Sequence, residues 1–140
     1  MRDLMNNVNP KVGITPASPT DTTAQVGPII DRRGYDSLTY LIALGTIVDA
    51  DATFTVLLEH GDAANLSDAV AVPDADLIGT EALAGFTFAA DLGCRKLGYA
   101  GNKRYTRMTI TPVGNASAAP MAAIALLGHP SEAPTANPPA

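Results

Sequence analysis

The sequence predicts an all-β fold, an antiparallel β-sandwich of the jelly-roll kind with about eight strands and extended N- and C-terminal arms. Three observations predict it. Runs rich in β-branched and aliphatic residues recur along residues 21–130, turn-forming Gly, Asp, Asn and Pro separate them, and no long helical periodicity lies between. About eight strands fill two four-stranded sheets; an immunoglobulin-like sandwich is the alternative. At 140 residues the chain suits one domain with one core.

Residues 1–20 carry Asn6, Asn7, Asn9, Pro10, Pro16 and Pro19 with little periodicity and read as an extended N-terminal arm. The sandwich domain occupies 21–130. Its first strand is 22–30, closed by a turn at 31–34. The longest apolar stretch, 37–48, is the second strand, and 49–51 turns the chain. Residues 53–60 alternate cleanly, with Phe54, Val56 and Leu58 on one face. A polar, Ala-rich loop spans 61–76, with room for one helical turn at 62–69. Short strands follow at 76–79 and at 85–89, where alternation places Phe86 and Phe88 together. A strand at 94–99 leads through a turn at 100–103 into a strand at 104–111. After a loop at 112–120, the last strand is 121–127. Residues 131–140, Ser-Glu-Ala-Pro-Thr-Ala-Asn-Pro-Pro-Ala, read as a Pro-rich C-terminal tail.

The expected core is Leu38, Tyr40, Ile42, Leu44, Phe54, Val56, Leu58, Phe86, Phe88, Met108, Ile110, Ile124 and Leu126. Strands 37–48 and 121–127 are apolar on both faces, whereas a solvated antiparallel strand is polar on one. Their second face, Leu41, Ala43 and Ile47 with Ala123, Ala125 and Leu127, is therefore expected at a subunit interface. A homodimer suits it, because a two-fold interface needs one self-complementary patch.

Composition excludes several functions. A net charge of −5 and a pI near 4.7 argue against nucleic acid and anionic membranes as partners. The start of the chain lacks the apolar run of a signal peptide, and no run approaches the ~20 apolar residues of a membrane helix. The expectation is assembly in the cytoplasm.

Neither catalysis nor a cofactor is expected. Asp49/Asp51, Asp62/Asp68 and Asp74/Asp76 lack the spacing of a calcium loop and read as turn caps. His60 and His129 stand at strand ends without metal-site spacing. A triad of His60, Asp62 and a serine would lack a nucleophile elbow, and 98–103 is a glycine-containing turn, not a phosphate loop. Cys94 reads as a small, buried, inert hydrophobe; as the one cysteine it excludes an internal disulfide.

Positive charge is more suggestive. Five of the nine basic residues fall within 95–107, namely Arg95, Lys96, Lys103, Arg104 and Arg107, and no acidic residue occurs between Gly93 and Ser131. Together with Arg32 and Arg33 they are candidates for docking to an acidic partner surface, where Arg makes bidentate carboxylate contacts.

Residues 99–112, Tyr-Ala-Gly-Asn-Lys-Arg-Tyr-Thr-Arg-Met-Thr-Ile-Thr-Pro, followed by 119–130, Ala-Pro-Met-Ala-Ala-Ile-Ala-Leu-Leu-Gly-His-Pro, resemble small proteins encoded beside the major capsid protein in tailed phages. With the long strand at 38–48, the chain resembles the capsid cement (decoration) proteins of tailed bacteriophages, of the jelly-roll kind found in a Bordetella phage. The resemblance implies a non-enzymatic virion protein that binds the capsid exterior, contacts the major capsid protein and clamps neighbouring capsomers. It transfers no contact residue. The competing expectations are a head–tail connector or tail part, and a carbohydrate-binding module, which would need an exposed cluster of Tyr35, Tyr99 and Tyr105.

Overall fold

Alternation of apolar and polar side chains sets the long strands, and where it stops, so does regular pairing. The computed structural model describes residues 2–140. Four strands carry the frame: β1 (Val8–Ala17), β4 (Tyr35–Leu44), β5 (Thr53–Gly61) and, after shorter elements, β10 (Tyr105–Val113). A fifth, β11 (Met121–Pro130), closes the chain, and β9 (Cys94–Tyr99) is intermediate in length. Between them lie two-residue strands, β2 (Gln25–Val26), β3 (Ile30–Asp31), β6 (Val70–Ala71), β7 (Leu77–Ile78) and β8 (Phe86–Thr87). One short helix, α1 (Glu81–Ala84), is capped by the Thr80 hydroxyl, which accepts from the Leu83 amide at 3.1 Å.

The strands form two antiparallel sheets packed as a sandwich. The first has the order β1-β11-β4-β9-β7; the second has β2-β10-β5-β6, with β3 also on β10 and β8 also on β5. Taking β2/β3 and β6/β8 as interrupted single positions, the chain enters the sheets in the order first, second, first, second, second, first, second, first. That is the jelly-roll path, which decides against the immunoglobulin-like alternative. Strand β7 extends the first sheet by one short edge.

The core lies between the sheets. Leu38, Tyr40, Ile42 and Leu44 from β4 meet Phe54, Val56 and Leu58 from β5 and Met108 and Ile110 from β10. Phe54 and Phe86 stack with ring centres 4.7 Å apart. The Tyr40 hydroxyl shares a 2.8 Å hydrogen bond with Thr106, also fully buried. A side chain on Gly27 would overlap the Gly13 carbonyl, so glycine is required where the β1 edge crosses the second sheet.

Several expectations need correction. Residues 8–17 are not an arm outside the sandwich; β1 pairs with β11 from Val8↔Gly128 to Ala17↔Met121. The tail returns to this strand: the Thr135 hydroxyl donates to the Val8 carbonyl at 2.7 Å and its amide to Asn6 at 2.9 Å. The first strand, expected at 22–30, is broken into β2 and β3 around Gly27-Pro28. The loop 61–76 contains β6 and a 3-10 turn at Asp74–Asp76, and no helix forms at 62–69. Phe88 is exposed, because the chain leaves β8 after Thr87 into a 3-10 turn and alternation ends there.

The phase of β11 is also reversed. Ala123, Ala125 and Leu127 face the core, and Ile124 and Leu126 face out. Volume explains this. Ala125 pairs with Tyr40, whose ring also lies so close to Gly13 that a side chain there would meet it at 2.9 Å. A buried tyrosine ring leaves room only for small neighbours.

Candidate protein-binding face

The outward face of the first sheet follows directly from register. One transverse row runs Val12, Ile124, Leu41, Lys96 across β1, β11, β4 and β9. The next runs Pro10, Leu126, Thr39, Gly98, Ile78 and reaches β7. A third joins Ala122, Ala43 and Cys94. Of these residues only Lys96 is charged. Exposure is substantial for large side chains: Val12 50%, Leu41 37%, Ile124 48% and Ile78 64%, with Leu83 of α1 beside them at 71%.

The opposite face of the molecule shows what solvation looks like in the same chain. There the second sheet presents Thr55 paired with Thr111 and Glu59 paired with Arg107 through a 3.2 Å ion pair, and its exposed aliphatics Val26, Leu57 and Val113 alternate with threonines, Val26 and Leu57 flanking Thr109 and Val113 pairing with Thr53. Threonine and a charge pair suit a face left to water. The first sheet carries instead a contiguous apolar surface of the kind that marks protein–protein contact.

The face is shaped. At its β7 flank, a hollow of about 490 Å³ is lined by Thr39, Ile78, Leu83, Cys94, Lys96 and Gly98. At its β1 flank, a hollow of about 300 Å³ is walled by Leu4, Val8 and Leu126 and floored by Thr39 and Gly128. Gly128 keeps that floor low, since a side chain there would meet the Ser37 hydroxyl at 2.7 Å.

No model of a known protein family matches this sequence, and comparison with curated proteins finds no match.

The predicted interface residues divide. Leu41 and Ala43 are on the exposed face, whereas Ile47, Ala123, Ala125 and Leu127 are in the core. Ile47 turns inward because β4 ends at Leu44 and the loop reverses its phase. Cys94, expected to be buried, is exposed on the third row beside Ala43. Residues missed for this face are Val12, Ile78, Leu83, Ala122, Ile124 and Leu126. The available signal was the excess of apolar residues in 121–127, which did not specify a phase.

The basic candidates are mostly engaged within the molecule. Arg104 makes a bidentate pair with Asp31 at 2.9 and 2.8 Å and holds that carboxyl down to about 2. Lys103 pairs with Asp62 at 2.6 Å, and Arg107 with Glu59. Arg32 stacks on Tyr99 at 4.8 Å and donates to the carbonyls of Lys103 and Gly101. Arg95 donates to the Gly85 and Cys94 carbonyls. Arg33 and Lys96 are exposed and make no side-chain ion pair among the described residues. These residues do not converge on one patch: Lys96 lies on the apolar face and Arg107 on the opposite one.

His60 is buried, its Nδ1 2.7 Å from the Tyr99 hydroxyl, so it does not meet Asp62 in a triad. The Lys103 amide donates to that hydroxyl at 3.1 Å, and burial pushes the Tyr99 hydroxyl pKa up. With Tyr99 inside and Tyr35 bonded to Asn9, the three tyrosines form no exposed platform. Among the described residues no group of three or more His, Cys, Asp or Glu side chains could hold a metal, and no helix is long and apolar enough to cross a membrane.

Proposed function

We propose that this protein is a virion structural protein, a cement protein that binds the outer surface of a tailed-phage capsid shell and holds neighbouring capsomers together. The observation that carries a protein-binding role is the contiguous apolar face of the first sheet, whose three rows hold one charged residue, Lys96, while the other face mixes threonines and an ion pair with its aliphatics. The assignment to a capsid comes from the resemblance of residues 99–112 and 119–130, together with the jelly-roll path. In that role the partner is the major capsid protein, the location is the capsid exterior, and no chemistry is performed.

Cementing is linkage. A protein that binds the assembled shell and not the dispersed subunits stabilises it by RT ln(1 + [L]/Kd) at each site. Contact with two capsomers at once raises the effective affinity without new contact types. Purified protein added to expanded shells lacking it is expected to raise their melting temperature and to saturate. Shells whose melting is unchanged at saturating protein would contradict the assignment.

A further inference from the structure

We infer that one end of the sandwich, formed by the connections 18–24, 45–52, 88–93 and 114–120, docks on the capsid shell, with Leu92, Val48 and Phe88 entering an apolar recess of the major capsid protein rimmed by lysine and arginine side chains. This rests on the chain being a shell-binding protein, and it names the surface and the chemistry of the contact.

Leu92 carries the inference. Three residues other than glycine hold a positive φ: Leu66, Leu92 and His129. That backbone is costly for a residue with a Cβ and costs glycine nothing. Two of the three are accounted for within the fold, since Leu66 is buried and the His129 Nδ1 lies 2.9 Å from the Ser37 hydroxyl. Leu92, at φ 57°, is 73% exposed, the highest value for a large apolar side chain among the described residues. Its amide donates to the Gly45 carbonyl at 3.0 Å, a bond that glycine would make equally well. A leucine here strains the backbone and leaves its side chain in water, so what it contributes lies outside the fold.

The surroundings suit an anchor. Val48 and Phe88 are exposed on the same two connections, which are joined by the Leu92–Gly45 bond and by the Leu44 amide donating to the Gly93 carbonyl at 3.0 Å. The Gly45 amide donates to the Pro120 carbonyl at 2.8 Å, the Ala119 amide to Pro19 at 3.2 Å, and the Ala116 amide to the Asp49 carboxylate at 2.9 Å. The four connections are thus stitched into one surface, which limits the ordering cost of binding.

Charge sets the partner. These connections hold Asp21, Asp49, Asp51 and Asp91 and no Lys, Arg or His. None of the four aspartates takes part in an ion pair among the described residues. Arg95, the nearest base in sequence, is turned onto the carbonyls of Gly85 and Cys94. Apolar tips among unpaired carboxylates match a recess ringed by bases, where desolvated anchors and charge-assisted bonds work together. A second copy of this end would bring the same negative charge and is disfavoured as the occupant.

The test is cosedimentation with expanded shells lacking the protein, across a range of protein concentration. The melting temperature and sedimentation coefficient of each free variant are measured beside it. Wild-type binding should weaken as NaCl rises from about 0.05 to about 0.5 M. Leu92→Gly, which relieves the backbone, should melt no lower than wild type, sediment as wild type and bind shells about tenfold more weakly or worse. Asp51→Asn with Asp91→Asn should bind about fivefold more weakly at low salt and lose most of the salt dependence. Asp74→Asn, an exposed carboxylate at the opposite end, should bind as wild type. Where wild type binds, unchanged binding of Leu92→Gly or of the double variant overturns the inference and leaves the cement assignment standing. A Leu92→Gly variant with an altered sedimentation coefficient also overturns it, assigning Leu92 to contact between copies. Shells that bind no wild-type protein overturn both.

Discussion

Individual side chains decide this fold where the pattern of apolar residues is silent. Tyr40 is the clearest case: its ring needs the small neighbours Gly13 and Ala125, and its hydroxyl needs Thr106. Burial pushes the Tyr40 hydroxyl pKa up, so it stays neutral as a hydrogen-bonding group. Tyr40→Phe is expected to cost about 1–3 kcal/mol, because it strands a buried hydroxyl on Thr106. The double change Tyr40→Phe with Thr106→Val should restore part of that loss in urea denaturation. A double variant no better than the single one would show the pair to be unimportant. Asp31 supplies a pH dependence. Its carboxyl is held low first by the Arg104 hydrogen bonds, so the stabilisation is present above the ordinary carboxylate pKa and is lost as pH falls through its folded value. Wild type should exceed Asp31→Asn in melting temperature at neutral pH, with the gap closing between about pH 4 and about pH 2. A gap independent of pH would mean that the variant acts through packing.

Among the elements, those with strict alternation were legible and those without it were not. Strand β5 buries Phe54, Val56 and Leu58 and exposes Thr53, Thr55 and Leu57, as its sequence indicates. Leu58→Ala should therefore cost about 2–5 kcal/mol, against no more than about 0.5 kcal/mol for Leu57→Ala. Similar losses from both would deny that β5 has an inner and an outer face. Strand β10 was readable for the same reason. The phase of β11 was not, because its residues 121–127 are all apolar and only the fit around Tyr40 selects which face is inside. The two-residue strands were poorly legible, since such short segments carry no periodicity and are held by their neighbours. Strand β1 was hidden by Pro10, Gly13 and Pro16, which suppress strand propensity yet suit an edge with two irregular steps in its register. The basic residues of 95–107 read as one patch in sequence, but β9 and β10 belong to different sheets and carry Lys96 and Arg107 to opposite outer faces, with Lys103 and Arg104 in the turn between them.

At the scale of the whole molecule, the sandwich is asymmetric: one outer face is threonine-rich and the other is apolar, shaped and nearly uncharged. Inside it, His60 is tied up with Tyr99. The most direct measurement is cosedimentation of the purified protein with expanded shells that lack it, counting copies bound. Saturable binding at many copies per shell is the predicted result. No binding, or saturation at only a few copies, would contradict the cement role and favour a connector or tail component.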